Sequence, residues 1–212
     1  MYNMETLFNG QVLQDKFVTS VLNNKQNGFF LEIGSNEPKI INNTYVLEQF
    51  LNWRGIMVEY NVDYLPKYER ERSNSIHLIN DATKIDYHSL FLENNVPKNI
   101  DYLQIDLEVS NRSTLTTLEL LEKTIFPSYN FATVTFEHDI YSGNYFNTRG
   151  ISREIFDKHG YVLVFPDVRN GENAFEDWYV HPSLVDMNYI NKVQRSNSLE
   201  YIDIMKILDS SK

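Results

Sequence analysis

Short apolar runs that would each fill a buried strand alternate along this chain with segments whose apolar residues recur at helical spacing. The runs Phe29–Ile33, Gly55–Glu59, Ile76–Asn80, Tyr102–Leu107, Ala132–Glu137, Tyr161–Phe165 and Trp178–Val180 predict seven strands. Helices are predicted between and around them. Gln11–Leu22 aligns Phe17, Val18, Val21 and Leu22 on one side, and Thr44–Leu51, capped by Asn43, aligns Val46, Leu47, Phe50 and Leu51. Ser113–Lys123 repeats leucine at 115, 118 and 121, which predicts a buried face. Val62–Arg72 is highly charged and predicts a surface helix. Ile151–His159 stops at Gly160, a residue suited to a left-handed position after a helix. In Ser198–Leu208, Leu199, Ile202, Met205 and Leu208 share one side, which must cover either the chain's own sheet or a second subunit in a homodimer.

Strand and helix in alternation, with no internal repeat, predict an α/β fold: a Rossmann-like, doubly wound, mostly parallel seven-stranded sheet with helices on both faces. The whole chain, 1–212, reads as one domain. Residues 1–27 form an N-terminal helical segment, 28–182 the Rossmann-like core and 183–212 a C-terminal helical tail.

Composition narrows the functions. The chain is 42% hydrophobic and 14% aromatic, which is globular, and its formal charge of −10 with a pI of about 4.9 disfavours nucleic acid or anionic lipid as a partner. No apolar run approaches the roughly 18 residues that span a bilayer, and the N-terminus lacks a basic stretch followed by an apolar one. Zero cysteines exclude disulfides, thiolate nucleophiles and Cys-ligated zinc. A cytoplasmic protein acting on a small-molecule or saccharide acceptor is expected, with no nucleic-acid and no membrane partner.

Ligands of open α/β sheets gather beyond the carboxyl ends of the strands. The first run ends in Glu32-Ile33-Gly34-Ser35-Asn36, where Gly34 permits close backbone approach or a positive φ. The second ends in Glu59, about 25 residues on, where a carboxylate chelates a ribose diol. The third ends in Asn80-Asp81-Ala82; Asp81 could accept from an adenine amine while Ala82 leaves room for the ring. An adenosine-containing ligand is expected. A dinucleotide fingerprint needs three glycines, whereas here Gly34 stands alone and Pro38 removes an N–H. That is compatible with S-adenosylmethionine, which has no phosphate.

Beyond the fourth and fifth runs lie Asp106, Glu108, Glu137, His138 and Asp139. These groups could hold a substrate hydroxyl and supply a general base, His138 being the natural candidate near neutral pH. Alternatively, Asp106, Glu137 and Asp139 could hold a hard divalent cation. Of the remaining histidines, His181 at the end of the last run is a weaker candidate for substrate contact.

These segments, in order, resemble the FkbM-like methyltransferases, a family with the class I methyltransferase fold that uses S-adenosylmethionine. The resemblance spans roughly residues 11–182. It rests on Gln14-Asp15-Lys16-Phe17-Val18, Phe29–Asn36, Asn43-Thr44, Glu48, Trp53–Ile56, Glu59-Tyr60-Asn61, Ile100–Glu108, Val134–His138, Arg149, Ile151, Gly160-Tyr161 and Glu176–Val180. It implies methyl transfer, most often to a hydroxyl of a sugar or related metabolite. It also implies cofactor contacts at Glu32, Gly34, Ser35, Asn36, Glu59, Tyr60, Asp81 and Ala82, with Asp106 and Glu108 bordering the methyl site. The pattern departs at Pro38, where the family has glycine, and at Glu108-Val109-Ser110-Asn111 in place of Glu-Gly-x-Glu. A non-catalytic adenosyl-ligand-binding or assembly protein is one alternative, supported by Val109. An NAD-dependent sugar oxidoreductase or epimerase is another, opposed by the missing glycines and the lack of a Tyr-x-x-x-Lys pair.

Overall fold

The computed structural model describes residues 8–211. Seven strands form one sheet: β1 Phe29–Ile33, β2 Arg54–Glu59, β3 Ile76–Ile79, β4 Asn99–Ile105, β5 Asn130–Glu137, β6 Val162–Asn170 and β7 Asn173–Val180. Their order across the sheet is β3-β2-β1-β4-β5-β7-β6. β1 to β5 run parallel, and β7 is antiparallel to both of its neighbours. The chain reverses direction of travel across the sheet after β3, so the switch point lies between β1 and β4. There the crossover connections part and leave a crevice.

Among the described residues, eight α-helices accompany the strands: α1 Gln14–Val21, α2 Tyr45–Leu51, α3 Leu65–Glu71, α4 Tyr87–Glu93, α5 Ser113–Thr124, α6 Thr148–Lys158, α7 Met187–Val193 and α8 Tyr201–Ser210. Strand alternation divides the core in two. Leu31, Ile33, Leu103, Ile105, Val134 and Phe136 face one layer with Phe91, Leu118, Leu121 and Phe156. Phe30, Met57, Tyr102 and Trp178 face the other with Phe17, Val18, Leu47 and Ile190.

The apolar face of α8 packs within this second layer through Ile204, Met205 and Leu208, all buried. The face that raised the idea of a homodimer is thus covered by the chain's own fold, leaving Ile202 half exposed. The expected N-terminal helical segment is represented by α1, and its residues 1–7 lie outside the described residues. Gly160 does follow α6 with φ 77°. Its N–H donates to Asp157 and that of Tyr161 to Phe156, while the Tyr161 and Phe156 rings meet edge to face, a complete Schellman ending.

Several expectations need correction. β6 and β7 are far longer than their apolar runs, because a hairpin pairs backbone to backbone and tolerates Asp167, Arg169, Asn170 and Asn173 in its outer half. Helix α4 has a short apolar pattern that the sequence reading misses, while α7 and α8 both fall within the expected C-terminal helical tail. The expected Val62–Arg72 helix is a 3₁₀ turn at Val62–Tyr64 followed by α3, with Pro66 in the first turn, where its missing N–H does no harm. Arg72, expected on the surface, is fully buried. Asn43 does not cap α2: Thr44 holds the cap position, and the Asn42 side chain accepts from the Thr44 N–H at 3.1 Å.

Candidate functional site

Parallel register brings the strand ends together before any ligand is considered. Glu32 of β1 sits opposite Met57 and Gln104, and Gln104 opposite Thr135. Ile33 pairs with Ile105 and Ile105 with Phe136, so Gly34, Asp106 and Glu137 emerge side by side. Above them opens a cleft of about 510 Å³, lined by Glu32, Gly34, Ser35, Asn36, Glu59, Asp106, Glu108, Glu137 and Asp139, with Asn43, Gln104 and others. A second cleft of about 350 Å³ shares Leu107 and Glu108 with it and is lined by Tyr60, Asp81 and Ala82. Every residue proposed from the sequence to touch a cofactor therefore lines one of two adjoining spaces.

Gly34 is required here by the protein itself. Its φ is 87°, and a Cβ would lie 1.8 Å from the Asp106 carbonyl oxygen, so only glycine lets the β1 loop pass the end of β4. The Gly34 and Ser35 N–H groups both donate to the Val58 carbonyl. Asn36 follows with φ 49°. Glu59 ties the same loop to β2: its carboxylate accepts from the backbone of Asn36, Tyr60 and Asn61, each at 2.9 Å. Asp81 caps the turn at Ala82–Lys84, accepting from Thr83, and pairs with Lys84 at 2.8 Å. Those partners, Lys84 first, hold its carboxyl down at about 2. Ala82 is buried as a floor, and Tyr60 stands 77% exposed at the rim.

Beneath the loop lies a buried polar network that sequence reasoning missed. The Arg72 guanidinium donates to Glu48 at 2.9 Å, Asn42 at 2.8 Å, Thr44 at 2.6 Å and the Pro38 carbonyl at 3.1 Å. Glu32 accepts from Thr44 at 2.9 Å and Asn42 at 3.3 Å through one oxygen. The segment carrying Pro38 is thereby fastened by an arginine, not by glycine geometry.

The cleft walls differ from that network. Glu32 Oε1, Asn43 Oδ1 and Gln104 Oε1 are buried and have no hydrogen-bond partner, and their residues all line the cleft. Burial raises the Glu32 carboxyl to about 7, against the lowering influence of Arg72. Burial, and then the charge of Asp106, raises Glu137 far above the carboxylate range, so it is an uncharged acid at neutral pH. Asp106 and Asp139 are raised as well, again chiefly by burial. Among the described residues, no Lys, Arg or His side chain lines the larger cleft.

His138 is not part of this assembly. Glu137 faces the cleft, so the next residue along the strand faces the opposite layer. There the His138 side chain is 0% exposed, with Nε2 3.5 Å from both Asp167 and Asp177. Its Nδ1 accepts from the Ile140 N–H at 3.3 Å. The proposed role of His138 as a base does not fit this placement, and the groups within reach of the cleft are carboxyls. Nor do Asp106, Glu137 and Asp139 converge as cation ligands. Among the described residues, the acid and histidine side chains whose ligand atoms gather within 4.8 Å are His138, Asp167 and Asp177. That trio is already served by arginine: Arg153 makes a bidentate pair with Asp177 at 2.7 and 2.8 Å and reaches Asp167 at 3.0 Å. His181 lies at the opposite end of β7 from the cleft, bonded to Ser183.

The strand order and cleft position define the Rossmann-like fold of class I methyltransferases. The solved structures that the chain resembles include a methyltransferase from Pyrococcus furiosus, at 14% identity and a TM-score of 0.52, covering 80% of this chain and 82% of that one. A TehB-like SAM-dependent methyltransferase from Corynebacterium glutamicum matches at 8% identity and 0.52, covering 79% and 87%. A provisionally assigned methyltransferase from Streptococcus mutans, solved in complex with SAH, matches at 13% and 0.52, covering 79% and 95%. No family model and no curated protein matches the sequence. At such identities the likeness establishes the fold.

Proposed function

We propose that this chain is an S-adenosylmethionine-dependent methyltransferase of the FkbM-like kind, acting on a hydroxyl of a sugar or related metabolite. The observation that carries the reading is the set of three unpartnered buried acceptors, Glu32 Oε1, Asn43 Oδ1 and Gln104 Oε1, facing a cleft without a cationic side chain. Leaving such atoms unpaired costs about 1–3 kcal/mol each, so a ligand that brings donors and positive charge is favoured there. S-adenosylmethionine has an ammonium and a sulfonium. A dinucleotide would put its pyrophosphate among carboxylates, with Pro38 lacking an N–H to offer, which argues against the oxidoreductase reading.

When bound, the cofactor supplies an electrophilic methyl group. In this reading Glu32, Asn43 and Gln104 hold the ammonium, Glu59 takes the ribose hydroxyls on its free lone pairs, and the cleft over Ala82 takes the adenine. Asp106 or Asp139 would take up the proton that the acceptor hydroxyl gives up. Alignment contributes most of the rate in such a transfer, so a strong base is not required. Calorimetry with S-adenosylmethionine, S-adenosylhomocysteine and NAD tests this: binding of the first two without NAD is expected, and NAD binding alone would overturn it. A non-catalytic adenosyl-binding protein would keep the same contacts. Val109, which favours that alternative in the sequence, has its side chain buried in the protein and leaves the cleft open. Methyl transfer to candidate saccharides, read by mass spectrometry with labelled donor, separates the two.

A further inference from the structure

The larger cleft continues past Glu137 and Asp139 into a recess of about 70 Å³ that no part of the proposed cofactor site uses. Its walls are Gln11, Glu137, Asp139, Tyr141, Asn170 and Asn173 over Phe175. Rigid elements form it: the N–H groups of His138 and Asp139 donate to the Phe175 carbonyl, and that of Tyr141 to Ala174. The space equals roughly two water molecules, so it admits a substituent and not a sugar ring. Two carboxyls, three amides and a phenol ring surround it, and among the described residues no Lys, Arg or His lines it. The buried Gln104 and Glu32 oxygens, which line the adjoining cleft, are acceptors without a donor to match them.

We propose that this recess is an acceptor subsite for a protonated amino group, and that the acceptor is an amino-bearing saccharide or polyol without phosphate. An ammonium there donates to Asp139 and to the Asn170 and Asn173 side chains, with the Tyr141 ring beside it as a cation–π partner. A phosphate would meet the Glu137 and Asp139 carboxyls with amide and phenol groups, and no cation, to replace its hydration. The inference rests on the methyltransferase reading for the neighbouring cofactor, and it selects among acceptors that reading leaves equal.

The test uses the full chain saturated with S-adenosylhomocysteine, whose own titration reports on the cofactor reading separately. Glucosamine, glucose and glucosamine 6-phosphate are then titrated as probes. Glucosamine is expected to bind about tenfold or more tightly than either of the others. Equal binding of glucose and glucosamine, tighter binding of the phosphate, or no glucosamine binding at millimolar concentration overturns the proposal. Asn173→Lys, an exposed hairpin position, sets a cation in the recess and should remove the glucosamine preference; an unchanged preference also overturns it. Failure of S-adenosylhomocysteine to bind would instead strike the cofactor reading on which the proposal depends.

Discussion

Two groups of buried carboxyls lie on opposite faces of the same strand ends, and their protons behave oppositely. Asp177, on the α6 face, is buried, yet its carboxyl is held below its ordinary range because Arg153 and His138 outweigh burial. Glu32, Asp106 and Glu137, on the cleft face, are raised because burial outweighs the lowering influence of Arg72 on Glu32 and meets no cation at Asp106 and Glu137. The first group is an arginine-paired structural joint between β5, the hairpin and α6, in which the acids are matched and the buried His138 Nε2 has no hydrogen-bond partner. The second lacks its counter-charge. Charge-matched clusters sealed inside the protein hold a fold together, whereas under-satisfied ones opening into a cleft mark where a ligand completes the chemistry.

The largest effect is expected at the arginine-paired joint. Arg153→Met leaves Asp177 buried without its bidentate partner and should destabilise the fold by about 3 kcal/mol, measured by chemical denaturation. A loss under about 0.5 kcal/mol would remove the distinction between the two faces.

Next comes pH. Burial raises Asp15 and Glu32 to about 7 and Glu176 to about 8. Their unfolded values are lower, so folding takes up protons. The stability they contribute is full below the ordinary carboxylate range and is lost as pH rises to about 8. Thermal midpoints should therefore fall between pH 5 and 8, and more gently above, where Glu137 still keeps its proton, and Glu32→Gln should fall less; a midpoint that rises over this range would contradict the assignment.

Glu59→Ala should weaken S-adenosylhomocysteine binding by about 1–3 kcal/mol, since the carboxylate is both a ribose partner and the tie between Asn36 and β2. Unchanged affinity would remove Glu59 from the site. The smallest change is expected for Glu137→Gln. An amide replaces an acid that is already uncharged, so denaturation should shift by no more than about 0.5 kcal/mol, in contrast to Arg153→Met.

The strand tips were legible because each parallel strand is an apolar run that ends at a polar or glycine residue, and chemistry gathers where those runs stop. Glu32, Gly34, Glu59, Asp81 and Asp106 could be placed from that rule alone. Three features could not. Arg72 reads as surface because it is charged, and its burial depends on Glu48, Asn42 and Thr44 arriving from another element. The side of the sheet on which His138 falls depends on how far β5 stays extended, and its nearness in sequence to Glu137 places it on the wrong face for the cleft. The hairpin's outer half is polar, and backbone pairing leaves no apolar trace there.

The central claim is that a cationic ligand supplies the charge the cleft lacks. Calorimetric titration of S-adenosylmethionine near neutral pH, repeated in buffers of different ionisation enthalpy, measures protons exchanged on binding. The account predicts net proton release, because the arriving ammonium and sulfonium favour ionised Glu32, with the release reduced in Glu32→Gln. Binding with proton uptake, or release that persists unchanged in Glu32→Gln, would contradict it.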